Sequence, residues 1–204
     1  MRPPRSRLSV SCRRWLSLWL VILLAISPGL GAGWDFSAIS TRTERLYGPA
    51  TPAARQRIDE WAALLNQPSQ GTIQDKLKQV NQFFNARMAF RDDIVVWKQQ
   101  DYWATPIEFL RKGAGDCEDF ALAKYFTLRE MGVPANQLRI TYVKALELNQ
   151  AHMVVTWYPT PTAIPLVLDN LKTAILPATQ RTDLLPVYAF NGEGLWLPQS
   201  GGNK

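Results

Sequence analysis

"GAGDCEDFALAKYFTLREMGVPANQLRITYVKAL", residues 113–146, changes its repeat half-way along. Gly115 breaks the chain, and Asp116 stands at an N-cap position with Cys117 in the first turn behind it. A helical stretch through Phe120–Met131 then stops at Gly132, with Pro134 beyond. From Leu138 the sequence alternates as a strand does. Everything upstream reads as helix. "TPAARQRIDEWAALLNQP" opens on Thr51 with Pro52 at the first helical position, and Ile58, Trp61 and Leu65 share a face. "TIQDKLKQVNQFFNARM" has Thr72 and Asp75 in capping-box spacing, and its Ile73, Leu77, Val80, Phe84 and Met88 follow the helical period. "TPIEFLRKG" is a short helix with Thr105 and Glu108 in the same spacing, and "RDDIVVWKQQDYW" before it is read as irregular. Downstream, "LRITYVKAL", "AHMVVTWY", "IPLVLDN", "LPVYAFN" and "GLWLP" are strands divided by Pro, Gly, Asn and Thr. Helices first and strands afterwards predict an α+β domain with an antiparallel sheet.

The N-terminus is a different kind of sequence. "MRPPRSRLSVSCRR" carries five arginines and no acid, "WLSLWLVILLAI" is twelve residues without a charge, and "SPGLGAG" follows. Residues 1–33 therefore read as a secretory signal peptide, because the apolar run is short for a membrane span. An uncleaved inner-membrane anchor is the alternative. The chain has 23 basic and 17 acidic residues; without the five arginines the balance is 18 against 17. The high pI thus belongs to the targeting segment, and residues 34–204 carry no basic footprint for nucleic acid. They are enough for one domain with a core.

After export the chain keeps one cysteine, Cys117, and one histidine, His152. A lone thiol in an oxidising compartment is either buried and inert or reactive. One Cys and one His cannot build a structural zinc site, but they can be a nucleophile and its base. In "AHMVVTWYPTPTAIPLVLDN" a hairpin turning between Thr160 and Pro161 sets opposite each other residues whose numbers add to 321. His152 and Asp169 satisfy that sum, with Cβ atoms expected about 5 Å apart. A helix N-terminus favours the thiolate. Cys117 as nucleophile, His152 as base and Asp169 as orienter are the residue types of acyl transfer. Against this, Asp116, Glu118 and Asp119 crowd the cysteine with negative charge, which opposes thiolate formation. Either these acids only complement a helix N-terminus, or something positive offsets them.

The segments "GAGDCEDFALAKYFTLREMGVP", "AHMVVTWY" and "LVLDNL", with "DYWATPIEFL" upstream, resemble the bacterial transglutaminase-like cysteine proteinases, and within them the LapG-type periplasmic adhesin proteases. The likeness covers most of residues 34–197. It implies a papain-like fold of the transglutaminase type and a Cys-His-Asp triad at Cys117, His152 and Asp169. It implies Ca²⁺ bound by Asp116 and Glu118, with Asp119 as a third ligand or a helix cap. It also implies a large surface adhesin as substrate, cut in its N-terminal region with biofilm dispersal as the outcome. The implied partner is the periplasmic domain of an inner-membrane cyclic di-GMP receptor, which sequesters the protease. Two other readings use the same residues: a transglutaminase or amidase, and a non-catalytic calcium-binding adaptor for a membrane receptor. The Cys117 backbone N–H is a candidate oxyanion donor. Trp103 is either a second donor, through its indole, or a core or cleft aromatic.

Overall fold

The computed structural model describes residues 35–66 and 71–198. The targeting segment, Cys12 included, lies outside the described residues. Six helices precede the main sheet: α1 (Phe36–Tyr47), α2 (Pro52–Leu65), α3 (Ile73–Arg87), α4 (Asp93–Val96), α5 (Pro106–Lys112) and α6 (Cys117–Glu130). Three start as their sequences dictate. Thr51 accepts from the Ala54 N–H with Pro52 at the first position, and Thr72/Asp75 and Thr105/Glu108 each close a reciprocal capping box. Gly113 ends α5 at φ 75° and Gly132 follows α6 at φ 84°, a region that glycine enters without a Cβ penalty. The sequence reading did not identify α1. The segment read as irregular contains the single turn α4, where Asp93 is buried.

The strands follow. A two-stranded parallel ladder joins β1 (Ala89–Phe90) to β2 (Ala114–Gly115). The main sheet runs β6 (Leu176–Pro177), β5 (Leu166–Leu168), β4 (Gln150–Trp157), β3 (Leu138–Ala145), β7 (Leu184–Asn191), β8 (Gly194–Trp196), with every neighbouring pair antiparallel. The order is thus helices first and an antiparallel sheet afterwards, as the sequence predicts. β1, β2 and β6 are additions, each only two residues long and without a period of its own.

Helix α6 lies between α3 and β4 and is the centre of the core. Phe109 of α5 is fully buried, with Phe84 of α3 at 6.2 Å and Phe120 of α6 at 4.9 Å between ring centroids. This aromatic contact fixes the start of α6 against the other helices. Phe109→Ala is expected to lower stability by about 3–5 kcal/mol, read as an earlier urea midpoint with an unchanged slope.

Candidate active site

Cys117 is the first residue of α6. It is half-buried, and its thiol lies against β4, where the Met153 backbone N–H bonds it. Burial and the carboxylates of Glu118 and Asp116 push the thiol pKa up, and the Met153 N–H acts the other way. The thiol itself donates to Glu118 Oε2 at 3.1 Å. The acids therefore do oppose ionisation, as expected for like charges close together. Met153 follows His152, so the structure brings the cysteine to the segment of β4 that carries the histidine.

His152 and Asp169 meet, but not in the register expected. Val155 stands opposite Leu168, Thr156 opposite Val167 and Trp157 opposite Leu166, so opposed numbers add to 323. The shift of two residues keeps every side chain on its face and makes His152 and Asp169 diagonal rather than direct neighbours. β5 also ends at Leu168, leaving Asp169 just past the ladder. His152 Nε2 lies 2.7 Å from Asp169 Oδ1, with His152 only 4 % and Asp169 1 % exposed. Burial acts to raise the Asp169 carboxyl, but hydrogen bonds from His152, Leu171 and Arg181 outweigh it and hold the pKa at about 2. An ionised carboxylate has no proton to give, so Nε2 carries the hydrogen of this pair.

Two residues that hold Asp169, Arg181 and Asn85, were missed in the sequence, as was Asn81 beside them. Arg181, 2 % exposed, donates from Nη2 to Asp169 Oδ2 at 2.6 Å and is braced by Asp183. Asn85 of α3 donates to the Asp169 carbonyl at 2.8 Å, and Asn81 one turn earlier donates to the Thr173 carbonyl. None has a spacing that links it to Asp169; the connection is tertiary.

The acidic residues form a second constellation beside the thiol. Asp116 occupies the N-cap position with extended backbone, yet its side chain caps nothing. Asp119 is fully buried and accepts the Ala104 N–H at 2.8 Å, so it serves the preceding loop rather than its own helix end. The β1–β2 ladder draws Asp93 to them: Arg91 N–H donates to the Gly115 carbonyl two residues before Asp93. Carboxylate oxygens of Asp93, Asp116 and Asp119 lie within 4.8 Å of one another, as do those of Asp93, Asp101 and Glu118. Asp93 also accepts the Tyr102 N–H. One oxygen on each of Asp93, Asp116 and Asp119 is buried without a hydrogen-bond partner. Burial, then the hydrogen bond and charge of Glu118, push Asp116 up to about 9. Burial outweighs the Ala104 N–H and, with the Asp93 and Glu118 charges, pushes Asp119 to about 7. Asp93 is raised as well, chiefly by burial. Orphaned, proton-hungry carboxylates of this kind fit a hard cation with several oxygen ligands. Asp116, Glu118 and Asp119 were anticipated for this role; Asp93 and Asp101 were not, because they lie on the stretch that read as irregular.

Trp103 is 46 % exposed, and its indole N–H is committed to Asp101 Oδ1 at 3.0 Å. It is not a core residue, and the structure gives its indole to the acidic cluster instead of to an oxyanion.

Comparison with known proteins identifies the family. Three structures of Legionella pneumophila LapG align with the chain. One is 44 % identical, covers 81 % of this chain and 88 % of its own, and has a TM-score of 0.71. The EGTA-treated form is 43 % identical at TM-score 0.72 and covers 83 % and 88 %. The calcium-bound form is 45 % identical at TM-score 0.69 and covers 79 % and 88 %. No curated protein sequence matches. Residues 59–185, more than half of the chain and including Cys117, His152 and Asp169, match the family described as bacterial transglutaminase-like cysteine proteinase. The chain belongs to the bacterial transglutaminase-like cysteine proteinases and has their transglutaminase-type, papain-like fold.

Proposed function

We propose that the chain is a calcium-dependent cysteine endopeptidase of the periplasm that cuts the N-terminal region of a large surface adhesin and so promotes biofilm dispersal. One observation carries the catalytic part. His152, buried and paired with Asp169, shares strand β4 with Met153, whose backbone N–H bonds the Cys117 thiol, and three buried carboxylate oxygens near the start of α6 have no partner. The likeness to LapG, known in calcium-bound and EGTA-treated forms, supports both the protease and the metal.

In this reading Asp169 holds His152 through Nε2–H, and Nδ1 takes the proton of the Cys117 thiol. The Cys117 Sγ attacks the carbonyl carbon of the scissile amide. The Cys117 backbone N–H, at a first helical position without an intrahelical partner, donates to the oxyanion. His152 Nδ1–H then protonates the departing amine as the C–N bond breaks, leaving a thioester. Water attacks the thioester carbon while Nδ1 accepts its proton. Collapse releases the carboxylic acid and returns the proton to sulfur. Ca²⁺ held by Asp93, Asp101, Asp116, Glu118 and Asp119 would offset the negative charge that otherwise suppresses the thiolate.

Incubation with the N-terminal region of a co-encoded adhesin, with and without calcium, tests the reading by fragment mass. A single calcium-dependent cut is expected. Isopeptide-linked products would move the assignment to transglutaminase chemistry, and an intact adhesin with an inert thiol would leave only an adaptor. The proposed inhibitory partner is the periplasmic domain of an inner-membrane cyclic di-GMP receptor; its addition should suppress that cut. Among the described residues no helix is long and apolar enough to cross a membrane. Export is read from residues 1–33, and N-terminal sequencing of the native protein should begin near Trp34; an intact Met1 would favour the anchor.

Gly115 gives the metal reading a separate test. A Cβ there would stand 2.1 Å from Asp119 Oδ2 and 2.9 Å from Asp119 Cβ, so the carboxylate depends on the missing side chain. Gly115→Ala is expected to displace Asp119 and shrink the calcium-induced rise in melting temperature. A full thermal response in that variant would remove Asp119 from the ligand set.

A further inference from the structure

A cavity of about 300 Å³ lies against the main sheet, lined by Thr141 and Val143 of β3 and Val154 and Thr156 of β4. β4 gives Val154 and Thr156 to the cavity, while the alternating Met153, Val155 and Trp157 point to the other face. Val143, Val154 and Val167 pack together there beneath Ala178 and Leu184 and form part of its wall, and Tyr188 and Trp196 add to its aromatic side. The volume is at the small end of ligand pockets, and the lining is mostly apolar, as in such pockets.

Two guanidinium groups break the apolar lining. Arg139 is held between the rings of Tyr158, at 4.2 Å, and Trp196, at 4.1 Å, and its Nε is buried without a partner. None of the ion pairs among the described residues involves Arg139. Arg181 spends Nε and Nη2 on Asp183 and Asp169, and its Nη1 is also buried and unpartnered. Buried donors left unpaired are costly, the more so on a charged group. The Thr141 and Thr156 hydroxyls on the same wall bond each other at 2.8 Å, Thr156 also donates to the Arg139 carbonyl at 3.4 Å, and neither accepts from a guanidinium N–H.

We propose that this cavity binds a small organic monocarboxylate, its apolar body against the valines and aromatic rings and its carboxylate on the free N–H groups of Arg139 and Arg181. A carboxylate suits arginine because the charges and the planar geometry match. A phosphate dianion fits less well, since its three oxygens would find few further donors on an apolar wall. The site does not depend on the protease reading, so it stands or falls separately from it.

Calorimetric titration of the purified chain with 3-phenylpropionate, and with 3-phenylpropanol as its neutral counterpart, tests the proposal. Saturable one-to-one binding of the acid is expected, with the alcohol weaker by about tenfold or more, the least that a lost charge-assisted hydrogen bond produces. Arg139→Gln should weaken the acid to the level of the alcohol. If that variant fails to fold, a crystal of the wild type soaked in the acid decides, with density expected at Arg139 Nε and Arg181 Nη1. No saturable binding up to the solubility limit, equal binding of acid and alcohol, or only ordered water in the soaked cavity would overturn it.

Discussion

Cys117→Ala and His152→Ala are each expected to lower kcat/KM on the adhesin fragment by at least about 10⁴-fold while leaving the fold intact. The magnitude follows from what each removes. Without sulfur there is no nucleophile, and without the imidazole the thiol keeps its proton, because burial and two neighbouring carboxylates already push its pKa up. The two losses should not add, since the residues act as one unit. Asp169 behaves differently. Asp169→Ala would leave both His152 and the 2 % exposed Arg181 without their buried partner. It should therefore cost stability, about 3–5 kcal/mol, as well as activity. Asp169→Asn keeps an oxygen for a hydrogen bond and should lose less of both. Iodoacetamide alkylation separates chemistry from substrate binding: His152→Ala should slow the labelling of Cys117 at neutral pH. Normal cleavage by Cys117→Ala, measured over the same enzyme range, would remove the nucleophile from the mechanism.

The acidic nature of Asp169 also sets a pH dependence of stability. Its folded pKa, about 2, is depressed below the ordinary carboxylate value near 4. The stabilisation is therefore fully present above pH 4 and is lost as pH falls toward 2.

How far the site was legible depends on the range of the forces that build it. The place of Cys117 follows from its neighbours alone: Gly115 and Asp116 end one segment and the apolar period of α6 begins the next. The His152–Asp169 pair was legible because strand alternation preserves faces. The hairpin register was wrong by two residues, and parity still put both side chains on one side of the sheet. A slip of one would have separated them. Asp116 shows the opposite case. Its local sequence signals an N-cap, but the side chain turns to Asp93 and Asp119 instead, a preference no neighbouring residue encodes. Asp93, Asp101 and Arg181 reach the site through a two-residue ladder, a loop pinned by Glu108 and a turn after β6. Contacts made across 12 to 23 residues or more leave no period to read. The likeness to a known family supplied the metal, and the geometry supplied two of its candidate ligands.

Calcium removal should have the second large effect. In excess chelator the wild type is expected to lose cleavage, and added Ca²⁺ should restore it, while Mg²⁺ should substitute poorly because it demands tight octahedral geometry. At a hundredfold excess over the dissociation constant, a ligand bound only by the native state adds about 2.7 kcal/mol, or a melting-temperature rise of roughly 5–10 °C for a chain of this size. Asp93→Asn and Asp116→Asn should lose most of that rise. The cation-free protein should also carry a distinctive pH dependence. Asp119 and Asp116 are raised to about 7 and about 9, so across the range from pH 4 to 9 the folded state holds protons that the unfolded chain has released. The contribution of these two groups is then greatest below pH 4, falls as pH climbs, and levels off once Asp116 ionises near 9. Calcium takes the place of those protons, so in its presence the decline should flatten across the same range. Asp116→Asn, which cannot ionise, should remove the part of it between about pH 7 and 9 without calcium and leave the Asp119 part below. Urea midpoints measured at several pH values, with chelator and with Ca²⁺, read both effects together. Full cleavage in excess chelator, with no thermal shift and the same pH slope in both buffers, would show that the carboxylates hold no cation and only place negative charge at the start of α6.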